Sequence, residues 1–310
     1  MLRYILQRLG QALVVILGVM TAVFFVMRLS GDPLLLLLPP GASDEVVDQY
    51  RSRLGFDQPL VVQYGKFVLG ALHGDFGDSL YFRTDAMALL LERFPATVEL
   101  TVAALAVALA IGIPAGIVAA VWRNSAADGV IRVGALLGQC VPGFWLAMIL
   151  VIVFAVRLGW VPTSGHGSPA QLILPAVTLG AASAAGITRL LRSSMIEVLQ
   201  QDYVRVARSK GLGTGAIIGR HALRNAASSA MTIVGLQVAG LLGGSVITET
   251  IFAWPGVGRL ITESIGNRDY AVVQAAVVVL AVLFVLVNLL IDIAYAAIDP
   301  RVRLGRTEAA

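Results

Sequence analysis

Charge is what this chain has least of. Aspartate, glutamate, lysine and arginine make up 14% of its 310 residues, against about 25% in ordinary soluble domains. Hydrophobic residues reach 57% and mean hydropathy is +0.83, so the composition is that of a membrane protein. Lysine is nearly missing: Lys66 and Lys210 are the whole supply. The pI near 9.5 therefore reflects arginine without any lysine-rich patch, and nucleic acid is not an expected partner. A single cysteine, Cys140, sits in an apolar run and excludes an internal disulfide framework. Neither lysine follows the glycines of a Gly-x-x-x-x-Gly-Lys-Ser/Thr phosphate loop, so the usual apparatus for holding ATP is absent from this chain. His-Glu-x-x-His, Cys-x-x-Cys and Gly-x-Ser-x-Gly are absent too, and His73, His166 and His221 are too scattered to predict a shared metal site. Acids at mid-membrane depth, which ion-coupled carriers use, are also wanting: Glu99 and Glu249 stand at span edges, and Asp292 near the inner end of the last run. A transporter built this way draws its energy from another chain.

What is present is a set of long runs free of charge: Leu9–Met27, Leu100–Trp122, Val133–Val156, Leu158–Thr188, Asn225–Thr248 and Tyr270–Ile291. A hydrocarbon core about 30 Å thick takes about 20 residues of helix, and helices satisfy their own backbone groups in lipid. Six transmembrane helices put both termini on one side. The first has Arg3 and Arg8 before it but no Ala-x-Ala cleavage pattern, and reads as a retained anchor. Positive charge marks the cytoplasmic side. With both termini inside, the inner segments hold 14 of the 23 basic residues and 6 acids, a net +8. The outer segments are left at −4. An N-in, C-in arrangement follows.

Between the first two runs, residues 30–97 show helical patterning. Ser43 precedes Asp44 and Glu45, with Val46, Val47 and Tyr50 on one face and Gly55 as a stop. A second helix opens at Pro59 and ends at Gly74, and a third is expected over Thr84–Phe94, with Pro95 opening the next span. Gly112/Gly116 and Gly240/Gly244 allow close helix approach, and Pro114 and Pro142 should bend their helices. Gln139, Gln237 and Ser245 are uncharged polar groups inside spans: candidates for a substrate path, or helix–helix hydrogen bonds. After the fifth run, Glu249, Phe252, Trp254 and Arg259 flank a Pro255-Gly256 turn, and Trp254 suits a membrane interface.

The largest polar island, residues 200–225, carries Arg205, Arg208, Lys210, Arg220 and Arg224 between two apolar runs. Within it Leu212, Ala216, Ile217 and Ile218 form a short apolar stripe, the pattern of a helix that seats in a groove on a soluble partner. Ala207, three residues, Gly211, then His221-Ala222-Leu223 resembles the conserved cytoplasmic EAA loop of binding-protein-dependent ABC importer permeases. Asp202-Tyr203-Val204-Arg205, Ala207-Arg208-Ser209-Lys210-Gly211-Leu212 and Arg220-His221-Ala222-Leu223-Arg224-Asn225 look like the dipeptide/oligopeptide/nickel class. So do Leu54-Gly55-Phe56-Asp57-Gln58-Pro59-Leu60, Gly74-Asp75-Phe76-Gly77-Asp78-Ser79-Leu80, Arg93-Phe94-Pro95-Ala96-Thr97-Val98-Glu99-Leu100, Trp254-Pro255-Gly256 and Asp299-Pro300-Arg301. Arg205 stands where the general motif has glutamate and Arg224 where it has proline, both usual in the peptide class.

The resemblance implies an all-α membrane protein with the type I ABC importer permease fold, in the bacterial inner membrane. The long segment after the first span is similar to that of a B-type subunit. It implies a C-type permease partner, two cytoplasmic ATPase subunits holding ATP and Mg, and an extracytoplasmic substrate-binding protein. No cofactor is implied on this chain. The expected layout is residues 1–29 as terminus and first span, 30–97 as an extracytoplasmic helical segment and 98–297 as a five-helix core, with a tail at 298–310. Within the core the spans are 98–122, 133–156, 170–189, 226–248 and 270–294, with a cytoplasmic coupling loop at 190–225. Coupling to the ATPases would fall to Arg205, Ala207, Gly211, Leu212, Gly215, Ile217, Ile218, His221, Leu223 and Arg224, with 212–220 as the inserted helix. Glu249, Phe252, Trp254 and Arg259 would serve the binding-protein dock or substrate release. Short peptides, nickel chelates and other small solutes stay open as cargo, as do a secondary carrier and a receptor subunit that moves nothing.

Overall fold

A computed structural model describes residues 2–29, 43–53 and 55–298. The Asp299-Pro300-Arg301 motif lies outside them, as does the side chain of Asp292. The described chain is helical almost throughout: α1 (Leu2–Leu29), α2 (Asp44–Arg53), α3 (Leu60–Leu72), α4 (Ala86–Val121), α5 (Ala126–Cys140) and α6 (Gly143–Leu150), the last continuing as a π-helical stretch to Arg157. Then come α7 (Pro169–Leu199), α8 (Asp202–Ser209), a helical start at Thr214–Ala216, a π-helical turn at Ile217–Ala222, α9 (Leu223–Ile251), α10 (Val257–Gly266) and α11 (Tyr270–Ile298). Among the described residues four helices are long and apolar enough to cross a membrane, and five if the bent α5–α6 pair is one crossing.

Two compact units divide the chain, and neither is continuous in sequence: residues 1–97 join 255–285, and 98–254 join 286–310. In the first unit α2 and α3 start and stop where the sequence indicates. Ser43 carbonyl accepts from Val46 and Val47, Pro59 precedes α3, and Gly55 and Gly74 adopt φ of +72° and +75°. Met20, Val23 and Met27 of α1 pack with Phe67, Val68 and Ala71 of α3 and with Tyr270 and Val273 of α11. Leu89 and Leu90 of α4 bury against Leu260 and Ile261 of α10 and Val272 and Ala276 of α11. The Gly74–Leu80 motif forms a tight turn whose Ser79 hydroxyl donates to the buried Asp269 carboxylate, the residue before α11. Asp269 also accepts from the Tyr81 amide at 3.3 Å.

One expectation is corrected. No separate helix ends at Phe94: α4 runs unbroken for 36 residues through both Pro95 and Pro114. Proline removes one backbone hydrogen bond but does not end a helix when the residues on either side stay well packed; Leu90, Ala96 and Leu100 are all buried. The bend expected at Pro142 in the run 133–156 is present and sharp. The helix breaks at Val141–Pro142, and the two arms meet at 107°.

In the second unit α7 is the hub, packing against α5, α6 and α9. Small residues bring α4 close to it as well. A Cβ on Gly112 of α4 would meet Ile187 at 2.9 Å, and one on Gly116 would meet Leu191 at 3.0 Å. A Cβ on Gly180 would press the Ala104 carbonyl at 2.6 Å. Close backbone approach of this kind is how helices associate where lipid offers no hydrophobic drive. Gly240, by contrast, has open space around it.

Candidate functional site

The basic segment after α7 builds itself from local rules. Helix α8 ends in a Schellman turn: the Leu212 amide donates to the Ala207 carbonyl and the Gly211 amide to Arg208. Gly211 sits at φ +79°, a left-handed conformation that costs any residue with a Cβ about 1 kcal/mol or more. The Ala207-x-x-x-Gly211 spacing is thereby explained, since the two residues are the third-last turn position and the reversal point of one helix end. Ala207 is small because it is buried, and it packs with Val204 and Ile217 beneath Leu199. The chain re-enters helix at Thr214, with the Ile217 amide donating to Gly213 at 3.1 Å. Asn225 Nδ2 donates to the Tyr203 hydroxyl at 3.0 Å and ties α8 to the start of α9.

The apolar stripe read from sequence is split by this packing. Ile217 is turned inward and buried, and Ile218 packs toward Leu191, Met195 and Ala226. Leu212, Gly213, Gly215 and Ala216 remain outside, joined by Tyr203 and Val206, which sequence reasoning passed over. Arg205, Arg208 and Lys210 surround them on the exposed face. The side chains of Arg220, His221 and Arg224 lie outside the described residues, while Leu223 is half-buried. The segment expected as a separate helix over 212–220 is instead the first turns of a longer one, because Thr214–Ala216 runs through the π-helical turn into α9 without a gap. Such π-turns are rare in helices and concentrate at functional positions.

Beneath the loop lies an ion pair that the sequence did not reveal. Asp128, fully buried, accepts from Arg192 Nε at 2.7 Å and Nη2 at 2.9 Å, and from the Asn124 amide at 3.0 Å. Arg132 Nε stands 3.5 Å away on the same helix. Asp128 occupies the first turn of α5, where Ser125 caps its amide, so the clamp fixes the start of α5 to α7 about two turns before the basic segment.

A family model described as "Binding-protein-dependent transport system inner membrane component" matches residues 112–304, and the corresponding N-terminal model matches 1–101. The chain belongs to this family. The permease is 42% identical over 304 residues to the glutathione transport system permease protein GsiC of Escherichia coli K12, covering 98% of this chain and 99% of the relative. It is 43% identical over the same length to GsiC of Salmonella choleraesuis SC-B67, with the same coverage. Among solved structures it resembles two crystal forms of the MetNI methionine ABC transporter in inward-facing conformations. One match has a TM-score of 0.56 at 21% identity, over 68% of this chain and 95% of that one. The other has 0.59 at 20%, over 69% and 97%. These are likenesses of fold. The permease is thus an inner-membrane component of a binding-protein-dependent ABC importer, all-helical, with the type I importer permease fold.

The second predicted cluster is distributed differently. Glu249, Phe252 and Trp254 are buried, so the interface aromatic expected at Trp254 is a core residue. A second Schellman turn explains why. Ala253 takes φ +50° and the Trp254 amide donates to the Glu249 carbonyl at 2.8 Å, folding the tryptophan back under the helix end. His166 meets the Trp254 ring edge-on at 4.5 Å and pairs with Glu99 at 3.0 Å, while the Gly165 amide donates to the Phe252 carbonyl. Arg259 bonds Glu263 at 2.7 Å one turn along α10. Trp254→Ala is accordingly expected to cost about 3–5 kcal/mol of stability, seen as a lowered melting temperature of the purified permease, with Trp254→Phe intermediate. A normal melt for the alanine variant would mean that the side chain is not packed as described.

Of the residues proposed for the path, Gln139 and Gln237 come together and Ser245 does not. Both carboxamides lie against Gly186 of α7. Ser245 is buried eight residues farther along α9, about 12 Å at the helical rise.

Proposed function

We propose that this permease is the B-type subunit of an ABC importer for di- and oligopeptides. Six crossings follow from the six charge-free runs and cytoplasmic termini from the charge asymmetry, α9 serving as the fifth crossing and the bent α5–α6 pair as the third. Residues 43–97 then stand on the outer face, where α2 and α3 expose Val46, Tyr50, Val61 and Leu72. The segment 190–225 faces the cytoplasm and receives the motion of two ATPase subunits, which hold ATP and Mg and complete the transporter with a C-type permease and an extracytoplasmic binding protein.

The observation that carries this reading is the exposed face over 203–216. Small glycines and Ala216 permit close approach, Arg205, Arg208 and Lys210 ring it, and the same backbone continues into a membrane helix. Closure of the ATPases displaces this segment, α9 moves with it, and the passage opens outward to take substrate from the binding protein. Residues at 249–259 act in that handover by keeping the outer end of α9 folded, since three of the four named side chains are interior. The peptide assignment rests on the substrate named for the GsiC relatives; nickel chelates are the alternative cargo.

Cysteine labelling tests sidedness directly, because Cys140 is the lone thiol to remove. In a Cys140→Ala background, Gly215→Cys should react with a membrane-impermeant maleimide only in inverted vesicles, and Arg83→Cys only in intact spheroplasts. Labelling of Gly215→Cys from outside would overturn the arrangement.

A further inference from the structure

Two carboxamides meet at one point in the second unit, at a place that lipid would not tolerate. Gln139 ends α5, Gln237 lies in α9, and both approach Gly186 on α7. A Cβ on Gly186 would stand 2.8 Å from Gln237 Nε2 and 3.6 Å from Gln139 Nε2. Glycine is what leaves room for them. Ser183 Oγ, one turn away on α7, donates to Gln237 Oε1 at 2.9 Å and aims the rest of that carboxamide toward Gly186. Neither amide nitrogen has an acceptor among the described residues. Gln139 is exposed and Gln237 half-buried, so both can be reached.

The helix break adds to the polarity of this point. Pro142 has no N–H to offer the Gly138 carbonyl, and α5 ends one residue beyond Gln139. Unsatisfied polar groups are costly in hydrocarbon, and irregular backbone at membrane depth occurs where it lines a cavity or is covered by protein. The three runs that supply these residues contain no charged side chain. The point is therefore polar, accessible and neutral.

We infer that Gln139 and Gln237 form a contact point for the peptide groups of the passing substrate. A carboxamide donates an N–H and accepts at its oxygen, which matches both sides of a backbone peptide unit. A neutral contact is also strong enough to guide and weak enough to release, as a passage requires. This inference rests on the peptide reading above and deepens it, since it names backbone amides rather than side chains as what the passage recognises.

The test uses the complete transporter, with its partner subunits and saturating loaded binding protein, in proteoliposomes. The probes are trialanine and trialanine with both peptide nitrogens methylated. The binding protein is the same throughout, so a change in preference between the probes belongs to the permease. Gln139→Leu and Gln237→Leu should each slow trialanine uptake about tenfold, the loss of one hydrogen bond, and erase most of the preference over the methylated probe. Gly186→Ala keeps both glutamines but crowds Gln237 Nε2, and should act in the same direction. Unchanged preference in all three variants overturns the inference while leaving the peptide reading standing. Equal loss for both probes with a lowered melting temperature also overturns it, because the carboxamides would then be struts between helices. If the unaltered transporter imports neither probe, the peptide reading fails and the inference with it.

Discussion

Replacing Gly219 by proline is expected to abolish ATP-driven uptake while the protein still inserts in the membrane. Gly219 lies inside the π-helical turn, is exposed, and a Cβ there would touch nothing within 4 Å. Steric exclusion is therefore not the mechanism. Proline in a helix interior removes a backbone donor and clashes with the preceding turn, at a cost of about 3 kcal/mol or more. The break would fall between the exposed 212–216 face and α9, so a displacement of that face would no longer reach the membrane helix. Gly215→Pro is the weaker variant. Gly215 sits in the first turn, where the earliest helical bond joins the Ile217 amide to Gly213 and the Gly215 amide has no intrahelical role. Gly219→Ala is the control: it favours helix by about 1 kcal/mol and should keep uptake. Gly211→Val should also lose uptake, because its left-handed backbone forces the reversal after α8. Wild-type uptake by Gly219→Pro would remove the lever from the mechanism.

The second large effect is at Arg192. Arg192→Ala leaves the Asp128 carboxylate buried with its bidentate partner gone. Breaking a buried pair on one side costs about 3–5 kcal/mol, and Arg132 at 3.5 Å and largely in solvent replaces little of it. The expected result is a clear drop in the melting temperature of the purified permease. Arg192→Lys should fall between, since an ammonium cannot repeat the two parallel bonds. The double variant Asp128→Asn with Arg192→Met should recover most of the loss, because no uncompensated charge remains. If Arg192→Ala melts like the parent, the clamp between α5 and α7 does not bear on stability.

How much of this was legible depends on the range of the interactions. Helices α2 and α3 could be read to within a residue or two, since caps and stops such as Ser43, Gly55, Pro59 and Gly74 act over a few bonds. The Ala207–Gly211 pair was recognisable as a motif, and the Schellman turn supplies its reason. Pro95 and Pro142 look alike in sequence, yet one is absorbed in a continuous helix and the other turns the chain by 107°. What differs is the packing on either side. Ile217 and Leu212 are both aliphatic residues of the same loop, but only the fold of α8 onto Thr214–Ala222 decides that one is covered and the other presented. Trp254 carried a membrane-interface signal and is interior for the same reason.

Composition and run length alone determined that the chain lives in lipid, because no arrangement of 14% charged residues covers a soluble domain of this hydropathy. Local spacing likewise determined where α2 and α3 begin and end. Only the tertiary structure decided the pairings at a distance: Asp128 with Arg192, Ser79 with Asp269, and Gln139 with Gln237 over Gly186. These partners lie 64 or more residues apart, and nothing in a linear pattern records which buried polar groups will find each other once small residues let the helices close.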